Sequence, residues 1–196
     1  MEISSLQGNM PAKIDDPRLY TPQCLSLTPV KDLHVNRWFV VRDRGGYFTV
    51  EHKHRQVIIL PVVDDSSILI VRVKRPVIAD ITWELPAGSV KENEKPIAGA
   101  ARELAEETGI KIQDIERFLA LPPISNSPNR NPNLVNIYEI SLSQTEYDSR
   151  NKHDDEVERV ECYGFNEIKE MLISGQIYVG MPVAIIGRYL LQKGVN

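Results

Sequence analysis

Gly88-Ser89-Val90-Lys91-Glu92-Asn93-Glu94, followed after seven residues by Arg102-Glu103-Leu104-Ala105-Glu106-Glu107-Thr108-Gly109-Ile110, is the stretch on which the reading of this chain turns. Pro96 suits a first helical turn, where its missing N–H costs nothing, and Gly109 is the residue expected just past a helix end. A helix is therefore predicted to run to about Thr108. At about 100° per residue, Glu103, Glu106 and Glu107 fall within about a 100° arc. Ile97, Ala101, Leu104, Ala105 and Thr108 gather on the opposite side, the one expected to be buried. Gly99 and Ala100 share the acidic side, where small side chains would leave room for something bulky.

Three like charges on adjacent turns repel one another, at a cost of about a few tenths of a kcal/mol per i,i+4 pair. One account is a solvated acidic face, offset by Arg102 pairing with Glu106. The other is a hard-cation site. Carboxylates at i, i+3 and i+4 offer the oxygen ligands that Mg²⁺ or Mn²⁺ takes, whereas softer metals favour His or Cys, and the helix has neither.

Outward from the helix, Ile81-Thr82-Trp83-Glu84-Leu85 reads as a short strand stopped by Pro86 and Gly88. Val57–Val63 and Ile68–Val73 flank Asp64-Asp65-Ser66-Ser67 and predict a hairpin of buried strands. Trp38–Val41 and Tyr47–Val50 flank Asp43-Arg44-Gly45-Gly46 and predict another. Residues 1–32, with Pro11, Pro17, Pro22 and Pro29, are expected to form an irregular arm. Phe118–Leu121, Leu134–Ile140 and Glu156–Tyr163 read as strands, the first two around an Asn/Pro-rich loop. Asn166 is expected to cap a helix ending near Gly175, and Pro182 to open a last helix through Gln192. The fold class expected is α+β, an α/β/α sandwich, in one domain over residues 33–196.

A chain of 196 residues suits one domain and buries enough surface to fold without disulfides or a structural metal. Its formal net charge is −4, with Lys and Arg scattered rather than striped, so no nucleic-acid partner is expected. Cys24 and Cys162 lack ligand spacing and suit a reducing compartment. The longest apolar run, Val57–Val63, is seven residues with Pro61 inside it, too short to span a bilayer. Met1-Glu2-Ile3 opens without signal-peptide character, so a cytoplasmic protein is expected.

The stretch also matches, at every fixed position, the Nudix box: Gly88, Glu94, Arg102, Glu103, Leu104, Glu106, Glu107, Gly109 and Ile110. The chain thereby resembles the Nudix hydrolases, which cleave nucleoside diphosphates linked to another group. The resemblance implies a Nudix fold, with a mixed central sheet and a small N-terminal antiparallel sheet. It also implies Mg²⁺ (or Mn²⁺) held by Glu103, Glu106 and Glu107, with Glu94 and Arg102 bracing the helix.

Glu84-Leu85-Pro86-Ala87-Gly88 is similar to the lead-in of the ADP-ribose and nucleotide-sugar pyrophosphatase branch, which implies the Ala87 carbonyl as a further metal ligand. Within that branch the resemblance implies substrate contacts from Arg75 and Lys53. Trp38 is a candidate to stack on a base, and a homodimer through strands in about residues 33–55 is expected. The resemblance also implies a base from the acidic loop, with Glu156 preferred and Asp154 and Asp155 as alternates.

Residues 122–136 depart from the branch: they lack its S-P-G loop and its acid, and hold five asparagines with Arg130. The expected substrate is ADP-ribose or a related nucleotide sugar. Alternatives are GDP-mannose, a dinucleoside polyphosphate or a modified nucleotide, or a non-catalytic nucleotide-binding module.

Overall fold

The Asp43–Gly46 turn closes because Gly45 and Gly46 take φ of 58° and 94°, the left-handed conformations a tight hairpin requires. In the computed structural model, which describes residues 16–19 and 24–195, that turn belongs to a three-stranded antiparallel sheet. Its strands are β1 (Val30–Val35), β2 (Phe39–Arg44) and β3 (Tyr47–His52), in that order. β1 begins inside the stretch expected to be irregular, and all six of its residues are exposed, so no alternation marked it as a strand. Of the expected arm, residues 1–15 and 20–23 lie outside the described residues, and Pro17–Leu19 forms a 3-10 turn.

The second sheet holds β4 (Gln56–Val63), β5 (Ser67–Arg75), β6 (Asp80–Glu84), β7 (Ala87–Ser89), β8 (Leu119–Leu121), β9 (Asn136–Leu142) and β10 (Val157–Gly164). The helices are α1 (Pro96–Thr108), α2 (Gln144–Asp148), α3 (Phe165–Ile173) and α4 (Gly180–Lys193). β4 is buried on both faces from Val57 onward, as a strand covered by helices on both sides must be. Val57, Ile59, Leu69 and Val71 pack with Ala100 and Leu104 of α1. Ile58, Leu60, Ile68 and Ile70 pack with Ile168 of α3 and Ile185 of α4. The result is the expected α/β/α sandwich around a mixed sheet, with β4 and β9 parallel and the other pairs antiparallel.

One feature of this sheet positions the site. β4 and β5 pair only beside their turn, Val62 with Ile68 and Val63 with Ser67, and then separate. The chain from Asp80 to Ser89 fills the wedge, with β6 paired to β5 and β7 paired to β4. Pro86 stands at the crossing, where a missing N–H is tolerated, and its carbonyl accepts from the Ile59 N–H at 2.8 Å.

The helices differ from the sequence reading in three places. α3 is capped by Gly164, whose N–H donates to the Glu167 carboxylate at 2.9 Å, so Asn166 sits in the first turn rather than at the cap. α4 starts at Gly180, two residues before Pro182. α2 was not expected, although Ser143 and Glu146 spell its capping box. Among the described residues, no helix is long and apolar enough to cross a membrane.

Candidate active site

Of the three acids of α1, only Glu106 is exposed to solvent; Glu107 is half-buried and Glu103 buried. Gly99, Ala100, Glu103, Leu104 and Thr108 are its buried residues, while Ala101 and Ala105 are half-buried. The expected apolar side is packed, with Leu104 and Thr108 buried and Ile97 and Ala101 against the core. Burial extends beyond it to Gly99, Ala100 and Glu103 because β7 packs against Glu103. A Cβ on Gly88 would lie 2.1 Å from the Glu103 Cδ, so only glycine at this position leaves the carboxylate its space. The space expected beside Gly99 is taken up: a Cβ there would meet Glu94 Oε2 and Val90 Cγ2 at 3.3 Å.

Arg102 organises the polar side of the helix. Its guanidinium donates to both Glu94 oxygens at 3.0 Å, to Glu103 at 2.7 Å, to Glu106 at 2.9 Å and to the Ser89 carbonyl at 2.8 Å. Glu94 in turn accepts from the Lys91 N–H at 2.8 Å, which ties the loop before α1 to the helix. Glu94 and Arg102 thus link that loop to α1.

Glu107 accepts from the Ala87 N–H at 3.1 Å. Burial pushes its carboxyl up to about 8; the Ala87 N–H opposes the shift, and Glu103 and Asp154 add to it. Burial also raises Glu103, against the pull of Arg102. Leu104 and Ile110 are core residues of the α1 layer, and Gly109 ends the helix with φ of 76°. A Cβ on Gly109 would strike the Asn151 carbonyl oxygen at 2.0 Å, so its bare backbone admits the loop that returns to the helix. That loop is held by the Asn151 N–H on the Gly109 carbonyl, 3.0 Å, and the Asp154 N–H on the Glu106 carbonyl, 2.9 Å.

The three loop acids part company here. Asp154 accepts from the Glu156 and Val157 N–H groups and sits in the field of Glu107. Asp155 pairs with Lys152 at 3.4 Å, out in solvent. Glu156 is exposed and in the field of Arg75. Arg75 itself forks onto Glu84, at 2.7 and 3.0 Å, and Glu84 also accepts from the Thr82 hydroxyl at 2.6 Å.

Among the described residues, no three His, Cys, Asp or Glu side chains converge as they stand into a metal-binding group. Arg102 engages Glu103 and Glu106, and the Ala87 N–H engages Glu107. The donor set nevertheless fits a hard divalent cation: it is all oxygen, and Glu107 is a half-buried carboxyl whose ionised form is only partly compensated by the Ala87 N–H and Arg75.

Trp38 and Lys53 flank the β2–β3 hairpin, the first just before β2 and the second just after β3. The Lys53 N–H donates to the Trp38 carbonyl at 3.1 Å, so the sheet places the two together. Trp38 is in the turn before β2, exposed, with the Arg37 guanidinium 4.3 Å from its ring centroid. Lys53 lines a cavity of about 300 Å³ between the small sheet and the foot of β4. Asn133 and Pro132 of the Asn-rich loop form part of its wall, and the loop covers the edge of β3 through Arg130 O to Val50 N, 2.7 Å, and Asn133 Oδ1 to His52 N, 2.9 Å.

The model of the NUDIX domain family matches residues 52–179. The chain belongs to the NUDIX family. It is 32% identical over 101 residues to a CMP-5'-(N-acetyl-N-hydroxy-3-aminopropyl)phosphonate hydrolase of Streptomyces rubellomurinus, over 47% of this chain and 49% of that protein. An 8-oxo-dGTP diphosphatase of Buchnera aphidicola is 35% identical over 60 residues, 31% of this chain and 46% of the relative. An RNA pyrophosphohydrolase of Cereibacter sphaeroides is 46% identical over 52 residues, 26% of this chain and 30% of the relative. The chain thus spans less than half the length of each of these curated relatives. A solved ADP compounds hydrolase shares the fold at a TM-score of 0.64 and 19% identity, over 85% of this chain and 94% of that one.

Within this NUDIX chain, the sequence reading missed Glu84 as the clamp on Arg75, although both residues stood in quoted motifs. It also missed Gln56, whose amide donates to the Ser89 hydroxyl at 2.9 Å and joins the cavity to the box. The cross-strand pairing of Val71 with Glu84 puts Glu84 on the α1 face, and that register is set by the wedge, which no local pattern announces.

Proposed function

We propose that this NUDIX protein is a divalent-metal-dependent hydrolase that cleaves the diphosphate of ADP-ribose or a related nucleoside diphosphate sugar. The products are a nucleoside monophosphate and a sugar phosphate. The observation that carries the reading is Glu107, a half-buried carboxylate set against the Ala87 backbone with buried Glu103 packed over Gly88 beside it. The fold shared with an ADP compounds hydrolase supports the branch, as does the Glu84–Gly88 lead-in.

Glu103, Glu106, Glu107 and the Ala87 carbonyl would hold Mg²⁺ or Mn²⁺. When bound, such a cation neutralises the diphosphate and acidifies water. The chain's own residues then divide the remaining work. Arg75, steadied by Glu84, offers its guanidinium to a phosphate oxygen. Glu156 takes the proton of the attacking water as the new P–O bond forms and the bridging oxygen leaves with the other phosphate. Arg102 keeps the acids of α1 in register from the side of Glu94. Lys53 and Trp38 flank the nucleotide end, and the protein works as a homodimer through its small sheet.

Incubation with nucleotide sugars, dinucleoside polyphosphates and modified nucleotides in saturating Mg²⁺ tests the reading. Turnover of ADP-ribose or another nucleotide sugar is expected; folded protein that turns over none of the panel contradicts it.

A further inference from the structure

Arg75 stands at the end of β5, where the chain turns back into β6 with nothing packed beneath it. Pro76–Ile78 form one 3-10 turn, closed by the Ala79 N–H on the Pro76 carbonyl at 3.1 Å. Residues 76–79 are all exposed, Val77 at 99%, and Ala79 takes φ of 56°, a conformation that favours glycine. Apolar burial therefore does not fix where this turn sits, and a turn without buried contacts opens readily.

A hydrogen bond reaches it from the helical side. Tyr178, in the link between α3 and α4, donates its hydroxyl to Asp80 Oδ2 at 2.5 Å. Asp80 is the cross-strand partner of Arg75, the first pair of the β5–β6 ladder after the turn. The bond thus lands beside the backbone from which the Arg75 side chain leaves. Val179, next to Tyr178, lines a cavity of about 480 Å³ with Arg75, Glu84 and the Pro76–Ile78 turn. In that cavity the Arg75 guanidinium uses Nε and Nη2 on Glu84. Among the described residues it makes no hydrogen bond through Nη1, whose N–H groups remain for an oxygen of a ligand.

We infer that Tyr178 is a positioning residue: its bond to Asp80 holds the β5–β6 turn so that Arg75 keeps its fork on Glu84 and presents Nη1 to a substrate phosphate. This rests on the hydrolase reading above and adds a residue that acts through Arg75 without touching the reacting atoms. If the turn is loosened, Arg75 must be ordered again each time substrate binds. That weakens binding and leaves the chemical step alone.

The test is the Kd of α,β-methylene-ADP, a diphosphate whose bridge cannot be hydrolysed, together with kcat and KM for ADP-ribose, all in Mg²⁺. Tyr178 is 49% exposed, so Tyr178→Phe removes one hydroxyl and leaves the fold intact. A rise of at least about threefold in both Kd and KM is expected, with kcat within about twofold of wild type. Asp80→Ala is expected to do the same, and Asp80→Asn, whose amide can still bond the hydroxyl, to stay near wild type. In an Arg75→Ala background, Tyr178→Phe is expected to change Kd no further, a coupling that a merely structural role would not produce. An unchanged Kd in Tyr178→Phe, an equal rise with and without Arg75, or wild type that fails to bind the analogue overturns this inference and leaves the hydrolase reading standing. The expected Kd pattern without turnover of any nucleotide sugar contradicts the hydrolase reading alone.

Discussion

Glu107 carries the sharpest consequence at the scale of single residues. Its folded carboxyl lies near 8, well above the usual carboxylate range, because burial is its largest influence. A raised carboxyl pKa means that folding favours the protonated form. The stabilising contribution is full below about pH 4.5 and is lost as pH rises through 8. In chelator, the denaturant midpoint of the wild type is expected to fall between pH 5 and pH 8.5, by on the order of a few kcal/mol in stability. Glu107→Gln is expected to remove most of that slope, and Mg²⁺ to flatten it in the wild type. A flat profile in metal-free wild type would contradict the burial assigned to this carboxyl. The helix periodicity placed Glu103, Glu106 and Glu107 on one face from the sequence alone. It did not reveal that this face is partly buried, because what covers Glu103 is a glycine fifteen residues away and the strand that carries it.

Elements pack here in ways that local sequence signals only in part. The hairpins of β2–β3 and β4–β5 were legible because glycine or aspartate turns separate apolar strands. β1 and β7 were not, the first because it is wholly exposed and the second because Pro86 and Gly88 read as breakers. The small sheet is braced on one face by ions. Burial would raise Glu51, but Arg44, Thr49 and Arg42 together outweigh it and bring the carboxyl down to about 2. A lowered carboxyl pKa gives stability that is present above about pH 4.5 and lost as pH falls towards 2. Stability at pH 6 is therefore expected to exceed that at pH 3, and Glu51→Gln to narrow the difference by on the order of 1 kcal/mol. A denaturant titration at the two pH values checks it, and an unchanged difference in Glu51→Gln would remove the ionic brace from the account.

At the scale of the whole molecule, the other face of the same sheet carries an exposed apolar patch beside Asp43 and His52. The register pairs Val41 with Val50 and Asp43 with Phe48, which sets Val41, Val50 and Phe48 on the side away from Glu51. Phe48 and Val50 are 52% and 39% exposed, and a second copy of the chain is the proposed cover. Sedimentation is expected to give twice the chain mass for wild type and a shift towards the single-chain mass for Phe48→Asp. A single-chain mass for both would rule out the dimer. The fold class and the box were legible because they rest on local pattern and fixed spacing. The wedge between β4 and β5, and the cavity between the small sheet and the foot of β4, arise from long-range packing and were visible only in three dimensions.

The initial rate of nucleotide-sugar hydrolysis as a function of Mg²⁺, in wild type and in folded Glu107→Gln, tests the central claim most directly. A rate that vanishes in chelator, saturates with Mg²⁺ and falls at least about a hundredfold in the variant is the result expected. Hydrolysis that proceeds without a divalent cation, or that survives the loss of the Glu107 charge, would contradict it.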